Sequence, residues 1–250
     1  MINAPAPNPR YSYWLRPELV GSAGFVVWVV VVMLGSGIGF AAVYGATHRT
    51  GDFLQLLSDR FFLMNTVIEA ALLGLLLLVL HRRGWKPSDF RIRLGVISTF
   101  QGVAVLVVTY LGIVAVMSPI TLLAKMPHAP VWLGALVPKL DLPPGGLHLN
   151  LAFIGVFLLL NAFYEELTYM GFTFNQVASR MGPNWAIVVT VLLRLLIHTY
   201  QGASHMLQIG IWALIFGLAY RWIGKVWPLI FAHACLDLIS FAVLLNLARH

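Results

Sequence analysis

An all-α, polytopic transmembrane bundle of about seven spans is the architecture this sequence predicts, and three observations predict it. Sixty per cent of the 250 residues are hydrophobic and 10% are charged, with a mean hydropathy of +0.85; a soluble domain of this size does not carry that balance. The apolar residues come in runs that match the roughly 20 helical residues needed to cross a hydrocarbon core. Inside the later runs sit a few ionisable groups, each costly in lipid unless pairing or hydration offsets it.

The runs fall near 22–46, 62–81, 95–118, 149–172, 184–201, 204–221 and 226–247. They are too long and too uniformly apolar for the alternating strands of a membrane barrel, and a helix satisfies its backbone within one segment. The first follows a Pro-rich, aromatic leader over residues 1–21, whose Tyr11, Tyr13, Trp14 and Arg16 predict an interfacial anchor rather than a cleaved signal. The second holds Glu69, read as a structural hydrogen-bonding group. The third leads into Ile120–Asn150, where Pro127, Pro130, Pro138, Pro143 and Pro144 oppose a continuous helix and Trp132 favours the interface. The fourth, fifth and seventh carry the polar groups taken up below. With no fixed repeat and no shift in charge density, residues 1–250 read as a single membrane domain.

Charge orients the spans. Arg10, Arg16, Arg82, Arg83, Lys86, Arg91, Arg93, Arg180, Arg221 and Lys225 fall on the side of the N-terminus, against Arg49, Arg60, Lys125, Lys139 and Arg249 on the other. Ten against five places the N-terminus in the cytoplasm. The net charge of +7 is scattered among loops, which speaks for a lipid bilayer and against nucleic acid as partner. Compact length favours a bacterial plasma membrane, and the lone Cys235 excludes an internal disulfide.

The chemistry gathers in the last third. Glu165 and Glu166 are adjacent in an apolar stretch, and a tandem pair there costs on the order of 5–7 kcal/mol before anything offsets it. On a helix Asn161 shares a face with Glu165, while Glu166 points about 100° away. The two acids can therefore divide the work, one as a general base and the other paired with a cation. Arg194 and His198 stand four apart on the fifth run, and His233 and Asp237 four apart on the last, with Cys235 on the opposite side. A guanidinium inside a membrane needs a carboxylate, and Glu165 or Glu166 is the partner at hand. Counting 1.5 Å per residue from Pro183 and Val226 puts His198 roughly 22 Å deep and His233 roughly 10 Å deep, so the two meet only through tilt, a deeper start or a kink near Pro228.

Read in order, these residues resemble the CAAX protease and bacteriocin-processing (CPBP, or Abi) family of intramembrane endopeptidases. The motifs stand as Glu165-Glu166-x-x-x-Met170-Gly171-Phe172, Arg194-x-x-x-His198-Thr199-Tyr200-Gln201-Gly202 and His233-x-x-x-Asp237, over about residues 149–247. Two positions depart from the family: Met170 stands where it has Arg, and Arg194 where it has Phe. Together they suggest a relocation, with the guanidinium reaching the acid pair from the neighbouring helix. The resemblance implies that Glu165, helped by His198, activates a water against a peptide carbonyl. His233 and Asp237 then stabilise the oxyanion or orient the group that does, with Glu166, Arg194 and Asn161 in support. The implied substrate is a membrane peptide or protein. No cofactor is expected; zinc is the competitor, since two His and two carboxylates suit it, but a His-Glu-x-x-His helix is absent. A scaffold or bacteriocin-immunity role without catalysis and a proton-coupled transporter are the alternatives, the latter disfavoured because no pair of broken helices occupies matching halves.

Overall fold

The computed structural model describes residues 14–47, 54, 56–137 and 149–247. Among these there is no strand. The helices are α1 (Ala23–Thr47), α2 (Asp59–Arg82), α3 (Val96–Ala124), the short α4 (Val131–Ala135), α5 (Leu151–Glu166), α6 (Asn175–Met181), α7 (Pro183–Ile197), α8 (Ala203–Ile223) and α9 (Trp227–Leu247). A π-helical segment, Leu167–Phe174, joins α5 to α6 without a break.

Six helices are long and apolar enough to cross a membrane: α1, α2, α3, the continuous Leu151–Met181, α8 and α9. The protein is a polytopic membrane protein, and the seventh expected span falls on the shorter apolar helix α7. That helix has 15 residues, about 22 Å at 1.5 Å each, less than a hydrocarbon core of about 30 Å. Gly182 and Gly202, at φ of 90° and 85°, bound this stretch in a conformation only glycine adopts freely. A single turn, Thr199–Gln201, fills the space between α7 and Gly202.

Local signals explain the ends. Ser58 caps α2 by accepting from the Phe61 amide, with Asp59 in the first turn and His81 and Arg82 in the last, each matched to the helix dipole. Asn150 caps α5 through the Ala152 amide, and its own amide donates to Asp59 Oδ1 at 2.7 Å, which ties the starts of α2 and α5 together. Helix α3 runs through Pro119 to Ala124, while Pro127 and Pro130 lie outside helices and Trp132 is exposed on α4. The prolines at 138, 143 and 144 fall outside the described residues.

Large apolar side chains such as Val31, Val67, Val108, Leu111 and Val243 face outward, the surface a bilayer covers. Inside, α2 packs on α5, α3 on α8 and α9, and α7 on α8. Gly102 lets α3 approach α9 closely: a Cβ there would stand 2.9 Å from the Pro228 carbonyl oxygen and 2.9 Å from Phe231 Cδ1. Arg16 on Asp89, Arg83 over Phe25, Arg91 over Trp14, Arg221 on Asn184 and Lys225 on Gln101 bring basic residues together beside the starts of α1, α3, α7 and α9. Arg60, in the first turn of α2, and Lys125, at the end of α3, lie at the opposite ends of their helices.

The leader departs from an interfacial anchor where it is described. Trp14, Leu15 and Leu19 are buried, and the Trp14 ring packs 5.2 Å from Phe174 and 6.0 Å from Tyr220. Gln176 holds this strap by accepting from the Gly21 amide and donating to the Leu19 carbonyl. Arg16 grips Asp89 with two parallel hydrogen bonds, Nε to Oδ1 at 3.0 Å and Nη2 to Oδ2 at 2.8 Å. The amphipathic indole found a protein pocket in place of the headgroup layer. Tyr11 and Tyr13 lie outside the described residues.

Candidate active site

Glu166 ends the α-helical part of α5, and the π turn that follows opens the helix beside it. Such single-turn widenings re-aim side chains and recur at functional sites. The carboxylate is fully buried. Its Oε1 accepts from Arg194 Nη2 at 2.7 Å and from His233 Nδ1 at 2.9 Å. His233 Nε2 in turn lies 3.3 Å from Asp237 Oδ2, one turn along α9. A guanidinium stays charged in proteins, so Glu166 is ionised. The His233 ring thus hydrogen-bonds Glu166 through Nδ1 and faces the Asp237 carboxylate with Nε2, a setting that favours its imidazolium form. The four residues form a chain of alternating charge, Arg194, Glu166, His233, Asp237, whose formal charges cancel.

Aromatic rings enclose this chain. The Arg194 guanidinium lies 4.5 Å from the Tyr169 ring centre, 4.9 Å from Trp212 and 5.8 Å from Phe216. Trp212 also meets the His233 ring edge-on at 4.5 Å. Cation–π contacts of this kind contribute about 2 kcal/mol when desolvated. Arg194 Nε and Nη1, Trp212 Nε1 and Tyr169 Oη are buried and make no hydrogen bond within the protein.

Glu165, the neighbouring acid, belongs to a second constellation. Its Oε1 accepts from Asn161 Nδ2 at 3.4 Å, and its Oε2 is buried with no protein partner. The same Asn161 nitrogen donates to Glu69 Oε1 on α2 at 3.0 Å. His198 stands apart from the other histidine, where α7 ends, and its Nδ1 lies 2.8 Å from the Arg194 carbonyl. A carbonyl only accepts, so Nδ1 carries the proton and Nε2 presents a lone pair. His198 is close enough to Glu165 to feel its charge.

All seven sequence-predicted residues thus fall around the acid pair, in an arrangement that resolves the depth mismatch. Arg194, one turn before His198, is the group that stands level with His233, and His198 lies a turn beyond. The guanidinium comes to the acids from α7, across the helix interface, and Met170 is buried in the π segment. His233 meets Glu166 through Nδ1 and faces Asp237 with Nε2 at 3.3 Å.

Sequence reasoning missed Trp212, Tyr169 and the connection of Glu69. A signal existed for Trp212, because tryptophan in a span interior departs from its usual place at the interface. Glu69 was noticed as a membrane carboxylate, but nothing in one sequence links it to a residue 92 positions away. Among the described residues, no group of three or more His, Cys, Asp or Glu side chains is arranged to hold a metal ion.

Comparison with known families addresses these same helices. Residues 147–239 match the family model Rce1-like, described as type II CAAX prenyl endopeptidase Rce1-like. Over this segment the site-bearing helices are similar to the Rce1-like, CAAX-protease family. The matched segment runs from the start of α5 into α9 and contains Glu165, Glu166, Arg194, His198, His233 and Asp237. It leaves out α1 to α3, and with them Glu69. Comparison with curated proteins and with solved structures returned no match.

Proposed function

We propose that the protein is an intramembrane endopeptidase of the CPBP type, hydrolysing a peptide bond in a membrane-associated, prenylated or leader peptide. The observation that carries this reading is the division of labour between adjacent acids. Glu166 is held in ion pairs by Arg194 and His233, whereas Glu165 accepts from the Asn161 amide and, among the described residues, from no cation; each acid keeps its Oε2 buried without a protein partner. A carboxylate with a spare oxygen in an apolar site has the makings of a general base.

In this mechanism a water donates one proton toward Glu165 Oε2 and the other toward His198 Nε2, leaving its lone pair for the scissile carbonyl. Glu165 takes the proton as the C–O bond forms and returns it to the departing amine. His233 is held by Asp237 and Glu166, and its role is to set the charge around Glu166. Buried donors without partners, Arg194 Nη1 and Trp212 Nε1, suit the developing oxyanion better than the occupied His233 does. The basic end of the bundle faces the cytoplasm by the charge rule.

The test is cleavage of a membrane-peptide library by the purified full chain, read by mass spectrometry, beside Glu165→Gln and with or without a chelator. Loss of a general base lowers turnover about a hundredfold or more, so cleavage should vanish in the variant and survive chelation. Loss on chelation would move the same residues into a zinc site. A folded wild type that cleaves nothing, with an active family member in parallel, would favour the scaffold reading, for which Met170 in place of the family Arg is the specific argument.

A further inference from the structure

Glu69 lies on α2, outside the family-matched segment, and its place in the structure is not that of a stray polar residue. The Asn161 side-chain amide has two protons. One goes to Glu69 Oε1 at 3.0 Å and the other to Glu165 Oε1 at 3.4 Å. Both carboxylates keep Oε2 buried and without a protein partner. The amide nitrogen therefore bridges two acids on two helices.

We propose that Glu69 is a positioning residue of the site, which acts through Asn161 to hold the Glu165 carboxylate with its Oε2 turned toward the reacting water. The inference rests on the proteolytic reading above. The bond to Glu69 is the shorter of the two, so it anchors the amide nitrogen between the acids and sets where that nitrogen meets Glu165. Without it Asn161 is held by the longer contact alone, and the Glu165 carboxylate swings with it. A carboxyl group in a span costs about 2.5–3.5 kcal/mol, and the contact it makes here reaches the one side chain that also touches Glu165.

The experiment compares kcat and KM for the purified full chain as wild type, Glu69→Ala, Glu69→Gln, Asn161→Ala and Glu69→Ala/Asn161→Ala. Thermal midpoints are measured in the same detergent. Misplacing a base by about 1 Å costs up to a hundredfold, so Glu69→Ala should lower kcat at least about tenfold with KM and midpoint little changed. Glu69→Gln, which can still accept from Asn161, should recover most of that loss. In the Asn161→Ala background, removing Glu69 should cost nothing more, because the bridge is already gone. If Glu69→Ala fails to insert, Glu69→Gln and Glu69→Leu carry the same comparison. The proposal is overturned if Glu69→Ala turns over like wild type, if glutamine fails to rescue, or if the two alanine losses simply multiply. Those outcomes leave an active wild type and spare the proteolytic reading; a wild type without activity sinks both.

Discussion

Arg194 Nη2 sits 2.7 Å from Glu166 Oε1, both residues wholly buried, with the guanidinium arriving from α7 and the carboxylate from the end of α5. This contact joins the two departures from the family pattern: an Arg absent at position 170 and an Arg present at position 194. The cation that the acid pair requires is supplied across a helix interface.

Breaking one side of such a pair leaves an uncompensated buried charge. Arg194→Leu should therefore destabilise the chain by about 3–5 kcal/mol, whereas Arg194→Leu with Glu166→Gln should recover much of the loss. Unfolding in detergent, followed by fluorescence of the tryptophans, measures both. Equal stability of wild type and Arg194→Leu would show that the pair contributes nothing.

The relocation itself can be put to the test by moving the cation back. Met170→Arg with Arg194→Phe should retain more function than either single change, since one guanidinium is lost and one gained around the same acid. A double variant no better than the product of its parents would mean that the π turn at 167–174 has carried position 170 out of reach of Glu166.

The contact between α3 and α9 depends on Gly102. A side chain there meets Phe231 and the Pro228 backbone, so Gly102→Val should displace the helix that carries His233 and cost about 1–3 kcal/mol. Gly155, on α5, has open space around its missing Cβ, and Gly155→Ala should be neutral or slightly stabilising. Matching midpoints for the two variants would contradict this account of the packing.

The strap that closes the basic end titrates. Burial alone would lift the Asp89 carboxyl, but hydrogen bonds from Arg16 and the Lys86 amide, with the charges of both residues, hold it below the usual carboxylate range. A depressed folded value means that the contribution is full above the unfolded pKa of about 3.9 and is lost as pH falls through the lower folded value. The stability gap between wild type and Asp89→Asn should be constant near neutrality and close in acid. A gap that persists unchanged to pH 3 would assign the effect of Asn to something other than charge.

Membrane class, the positions of the helical runs and the polar side chains that the structure gathers around the acid pair were legible in the sequence. Hydropathy, helical period and the cost of charge in lipid act locally, and each leaves its mark within a window of residues. The length of α7 was not: the expected span extends to position 201, through His198-Thr199-Tyr200-Gln201, and only the folded chain ends the helix at Ile197 and turns at Gly202. Trp14 likewise carries an interfacial composition, yet a pocket formed by Phe174 and Tyr220 takes it inside. The sequence by itself could bring Arg194 to an acid pair because a buried guanidinium demands a partner, but it could not choose between Glu165 and Glu166. That choice belongs to the tertiary structure, because it depends on how α7 and α9 meet the end of α5. The same holds for Glu69 and Asn161: a hydrogen bond between residues 92 positions apart exists only once α2 and α5 are packed face to face.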